Sequence, residues 1–175
     1  MGSANLCINR HDTTIEVAYR PRMSDSKIEE VERTWEKIRE FDPIKIGIIL
    51  FERIFLLEPE TFDMFDDFKK DPNWKESKDF RLHCTIFMTM VGKTIRLLKR
   101  QDELFTILDY LGLKHAFFKI TQNHFDVMGI QLGLILKECL GPDIITESVF
   151  NSWSSYYEII SSGIISSMKS KTDFE

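Results

Sequence analysis

At 175 residues, 43% hydrophobic and 12% aromatic, the chain is sized for one domain with a well-buried core. Its 23 basic and 28 acidic residues leave a net charge of -5, which argues against a phosphate backbone or an anionic membrane surface as a partner. Cys7, Cys84 and Cys139 form neither a disulfide framework nor a CxxC pair, and no stretch reaches the roughly 18 uncharged apolar residues of a membrane span, so the expectation is a cytoplasmic protein.

Residues 1–24 are mixed and polar, show no sustained period and read as a flexible N-terminal extension. Gly2 follows the initiator, but Leu6 stands where a myristoylation motif wants Ser or Thr. SDSKIEE then supplies a helix cap and first-turn glutamates, and Ile28, Val31, Trp35 and Ile38 form a helical stripe over about 26–40. Pro43 opens a second helix to about Leu57, with Ile44, Ile48, Phe51 and Phe55 at helical spacing. Gly47 inside it costs about 1 kcal/mol relative to alanine, which a close helix crossing would offset. Pro59 and Pro72 bracket a short helical turn and a loop that presents Phe62, Phe65 and Phe68.

From Lys75 to Arg100 a long helix carries Phe80, His83, Phe87, Val91, Thr94 and Leu98 along one side, so His83 points inward among phenylalanines. After QDE, Leu104, Ile107, Leu108 and Leu111 recur at i, i+3, i+4 and i+7, and His115 extends that stripe. Two further helices follow, at 122–139 and, after the break at Gly141 to Asp143, at 143–169, leaving 170–175 as a tail. Apolar residues on more than one face of the last helix leave Ile159, Ile164 and Ile165 to join a homodimer interface or the core. His11 and His124 fall in tail and surface positions. Strand-like alternation is absent, and the class is all-α, six to eight helices in one domain over 25–169.

Two imidazoles on apolar stripes have four explanations. They are separate core histidines tied to carbonyls; zinc ligands; an acid–base pair; or axial ligands of an iron porphyrin between the two helices. Zinc lacks a third ligand on these faces, and catalysis would need Asp109 or Cys84 to lie nearby by chance. The porphyrin would account for both oddities, because its apolar faces suit the surplus of phenylalanine and its iron suits a histidine that points into an apolar interior.

Over residues 25–169 the chain resembles the globins. Trp35 matches the tryptophan of the family's first helix, and Gly47, Phe51, Phe55, Pro59, Phe65 and Phe68 follow its B and C helices and CD corner. SKDFRLHCTIF is similar to the E helix, LDYLGLKHAFFKI to the F helix, HFDVMG to the start of G and FNSWSSYY, through Trp153, to the start of H. The resemblance implies haem b (iron protoporphyrin IX), with His115 the proximal iron ligand and His83 either the distal ligand or the hydrogen-bond donor to a diatomic gas. Phe51, Phe65, Phe68, Phe87, Leu111, Ile120, Phe125 and Met128 would line the haem, and Lys114 and Lys119 would reach its propionates.

The chain departs from the family pattern in three places. Cys84 stands where many globins place glycine for a close B–E crossing, Phe87 replaces a smaller residue, and only 18 residues separate Phe65 from His83, which predicts a loop in place of a full D helix. With Phe51 and Phe87 crowding the distal side, an imidazole already in place has the advantage over a diatomic ligand that must pay association entropy. The expectation is a six-coordinate, bis-histidyl protein of invertebrate or neural type, acting in electron transfer, redox signalling or oxygen sensing, and not an enzyme. Its partners are then O2, NO or CO, or a small redox partner. Reversible oxygen transport or storage is the alternative, and a cofactor-free helical interaction module is a third reading. Nitric oxide dioxygenation would need an open iron and a reductase partner, and no reductase domain accompanies these helices.

Overall fold

The computed structural model describes residues 21–118 and 120–172. Among them lie six α-helices: α1 (Asp25–Ile38), α2 (Pro43–Leu57), α3 (Lys78–Arg96), α4 (Gln101–His115), α5 (Gln122–Leu140) and α6 (Glu147–Thr172). Short 3-10 turns at Pro59–Met64, Trp74–Glu76 and Ala116–Phe118 join them, and there is no strand among the described residues. Most of the expected N-terminal extension and Lys119 lie outside the described residues.

Local chemistry starts most of these helices. Asp42 Oδ1 accepts from the N–H groups of Ile44 and Lys45 at 3.0 and 3.3 Å with Pro43 in the first turn, and Ser77 Oγ accepts from the Asp79 N–H at 3.2 Å. That serine cap is why α3 begins at Lys78 and not at Lys75: Trp74–Glu76 is a separate 3-10 turn. At its other end α3 tightens into i+3 hydrogen bonds, Leu97 N–H to Thr94 O and Leu98 N–H to Ile95 O, and stops at Arg96, short of the expected Arg100. The last helix starts at Glu147, after the Gly141–Pro142 turn has run on to a Thr146 side chain that accepts from Val149 N–H, and continues through Thr172.

The core runs between α6 and the rest. Trp35 of α1 and Trp153 of α6 pack at 6.4 Å between ring centroids, and Trp153 Nε1 donates to Thr34 Oγ1 at 2.8 Å. Tyr156, fully buried, shares a 2.8 Å hydrogen bond with Thr94 Oγ1 of α3; burial pushes its hydroxyl pKa far above the usual tyrosine value. Ile159 and Ile164 are buried and Ile165 packs against the same core, so of the two places open to them, a homodimer interface or the core, they take the core. Helical periodicity could not separate those two fates, because α6 is covered on more than one side.

α2 and α3 cross closely at Gly47. A Cβ there would sit 3.0 Å from Cys84 Cβ and 3.2 Å from the Cys84 carbonyl oxygen. The crossing that Cys84 puts in question is therefore accommodated from the other helix, with glycine on α2 admitting the cysteine of α3. Burial pushes the Cys84 thiol up to about 12, so it stays protonated and inert.

Candidate functional site

α2, the Pro59–Met64 turn, the connection that follows it to Trp74 and the start of α3 together build an aromatic wall. Phe51, Phe55, Phe62, Phe65, Phe68, Trp74 and Phe80 are linked through ring contacts of 4.9 to 6.5 Å. His83 is set into its edge, with its ring 4.7 Å from Phe51 and 4.8 Å from Phe65, both nearly perpendicular to it. Phe87, one turn along α3, meets the other side of Phe51 at 5.4 Å. Aromatic edges hold the imidazole; among the described residues it makes no hydrogen bond. Burial, and secondly the nearby His115, lowers the His83 pKa to about 4, so the ring is neutral near pH 7.

His115 ends α4 and is half-buried. Its Nδ1 lies 2.8 Å from the Leu111 carbonyl, which fixes the proton on Nδ1 and leaves Nε2 with its lone pair free. Phe125 of α5 flanks the ring at 6.1 Å; Leu111, Ile120 and Met128 are half-buried against the hydrophobic core. The two histidines are within electrostatic reach of each other, although α3 and α4 hardly touch among the described residues.

Of the residues expected at the site, Phe51, Phe65 and Phe87 surround or back His83, and Phe125 flanks His115. Phe68 stands elsewhere: 2% exposed, it stacks on Phe65 at 4.9 Å and on Trp74 at 6.3 Å, a layer behind the histidine. The 3-10 geometry of this corner turns Phe68 into the wall. Lys114 is exposed with its Nζ 5.5 Å over the Tyr110 ring. Trp74, absent from the sequence expectation, closes the aromatic cluster; its place in a Pro- and Asn-bearing loop gave no periodic signal.

His124 is not a plain surface residue. Its Nδ1 accepts the Thr121 backbone N–H at 3.1 Å in a capping box that starts α5, and its Nε2 lies 3.9 Å from Glu60. Glu58, Glu60 and His124 bring ligand atoms within 4.8 Å of one another, but an Nδ1 that accepts a backbone proton leaves the neutral ring protonated at Nε2, the wrong tautomer for a metal there. A groove of about 470 Å³ between the end of α3 and the start of α4 is also separate from the histidines; exposed Lys93, Arg96 and Arg100 form its solvated rim.

The donor set is therefore two imidazoles, His83 neutral by burial and His115 with its Nδ1 donating to Leu111 and its Nε2 turned away from that bond, in an apolar aromatic surround. Those residues fit an iron porphyrin: the rings suit its faces and the nitrogens suit axial coordination. No helix among the described residues is long and apolar enough to cross a membrane.

The family model for globins matches residues 49–164, which spans α2 from its middle through most of α6. A neuroglobin of Danio rerio is 28% identical over 137 residues, 75% of this chain and 83% of that protein. Neuroglobin-1 of Oncorhynchus mykiss is 26% identical over 145 residues, 79% of this chain and 88% of that protein, and a neuroglobin of Tetraodon nigroviridis is 25% identical over the same length and shares.

Proposed function

This chain belongs to the globin family, and from that premise we propose that it binds haem b with His115 as the proximal ligand and His83 as the sixth, and works in electron transfer, redox signalling or oxygen sensing. A bound haem supplies an iron with two axial positions and a one-electron couple. What the chain adds is orientation. The Leu111 carbonyl holds the proton on His115 Nδ1, aims Nε2 at the metal and raises its basicity. Phe51 and Phe65 keep His83 inward on the opposite side, and its depressed pKa keeps the ring in the neutral form that coordinates.

The observation that carries direct ligation by His83 is its setting: an imidazole with ring edges on two sides and no hydrogen-bond partner among the described residues gains most by taking the iron. Phe51, in contact with both His83 and Phe87, adds aromatic bulk beside it, which favours the imidazole already in place over a diatomic gas. His115 and His83, on separate helices, would both hold the iron of a bound haem, and such a pairing would suit one-electron change better than bulk oxygen storage. Similarity to the neuroglobins supports a globin of that kind. The free thiols Cys84 and Cys139 suit a reducing, cytoplasmic setting.

Visible spectra of the reduced protein, with and without carbon monoxide, test the proposal. A low-spin ferrous spectrum without added ligand, converted slowly by carbon monoxide, supports it. An immediate high-spin spectrum with rapid reversible O2 uptake replaces it with oxygen storage, and a purified chain without a Soret band after haemin addition removes the cofactor altogether.

A further inference from the structure

We propose that α6 sets the depth at which α4 presents His115, through a backbone-tight crossing at Gly112; the inference rests on the reading of His115 as the proximal ligand. Because α3 and α4 hardly touch among the described residues, the span between the two imidazoles is not set by their own helices meeting. It is set by what each helix leans on. α3 leans on α2, and α4 makes its most extensive contact with α6.

Gly112 lies within one turn of His115 and is buried in that contact. A Cβ at this position would fall 2.5 Å from Ser167 Cβ and 2.7 Å from the Ile164 carbonyl oxygen. The second is a backbone atom, so no rotamer change relieves it, and a methyl group can enter only if the helices separate. Ser167 Oγ also donates to the Asp109 carbonyl of α4 at 3.0 Å, which ties the same turn to α6. The seam differs from the rest of the interface in this respect. Gly163 of α6, in the same interface, has the Leu108 side chain as its nearest neighbour, and Gly133, in the separate α5–α6 contact, has the Phe150 ring; side chains can yield where a backbone oxygen cannot. Gly112 and Ser167 are thus positioning residues, acting on the iron through the helix that carries His115.

Haemin-reconstituted Gly112→Ala, Ser167→Ala and Gly133→Ala test this beside the unaltered protein, read by ferric spin state, by the rate of haem release to a haem-capturing apoprotein, and by amide exchange along α4 without haem. Gly112→Ala is expected to release haem about tenfold faster, to gain high-spin character and to exchange faster along α4. Ser167→Ala should move the same readouts the same way by less, and Gly133→Ala should leave spin state and release unchanged. A Gly112→Ala protein that is merely less stable, with spectrum and release rate as in the parent, overturns the proposal. If that variant does not fold, an unchanged spectrum and release rate in Ser167→Ala overturns it. Failure of the unaltered chain to take up haemin, seen as a missing Soret band, instead overturns the reading of His115 and this inference with it.

Discussion

His83 and His115 are held by different physics. The His83 ring is wedged between Phe51 and Phe65 by contacts with no fixed direction, while the His115 ring has a directional hydrogen bond to its own helix, which α6 supports. Packing restrains a side chain but leaves it free to swing when a neighbour shrinks; a hydrogen bond selects one tautomer and one orientation. On the proposed function the difference makes His115 the anchor of the haem and His83 the ligand that can be displaced.

The largest way to break that asymmetry is at the anchor. His115→Ala should abolish the Soret band of the reconstituted protein, and free imidazole should restore part of it. Phe51→Ala comes next: it removes a 5% exposed ring from the centre of the aromatic wall, so it should cost roughly 3–5 kcal/mol in denaturant unfolding and speed carbon monoxide binding by loosening His83.

His83→Leu sharpens the comparison through pH. In the haem-free protein the folded-state pKa of His83 is about 4 against an ordinary 6.5, so the unfolded chain binds the extra proton first. Stability is full above about pH 6.5 and falls as pH drops toward 4, by at most roughly 3 kcal/mol. Urea midpoints across that window should slope for the parent and flatten for the leucine variant; equal slopes would show that His83 is not buried neutral. The smallest effect belongs to a contact outside both regions: Arg53 meets Glu138 at 2.6 Å with the arginine half-buried and the glutamate exposed, so Arg53→Met should cost about 1 kcal/mol or less and leave the visible spectrum unchanged.

Much of this was legible in the chain itself. The stripes through Trp35, Phe51, His83 and His115 mark helices that exist, and Pro43 stands in the first turn of the second of them, where the sequence puts its start. Boundaries were less so, because Trp74–Glu76 carries helical residues yet is cut from α3 by a capping serine. Phe68, which the globin resemblance puts beside the haem, stacks on Phe65 and Trp74 within the aromatic wall. His124 reads as surface, since nothing in NHF announces that its ring will accept a backbone proton.

Periodicity is local: 3.6 residues per turn is enough to say which side of a helix is apolar, and so that two imidazoles point inward on successive long helices. Which inward faces meet is a long-range matter. Gly47 admitting Cys84, Ile159 and Ile164 entering the core instead of an interface, and Gly112 closing on the backbone of α6 all join residues far apart in the chain. Tertiary packing alone decided them, because close packing is a property of two surfaces together and neither surface carries it alone.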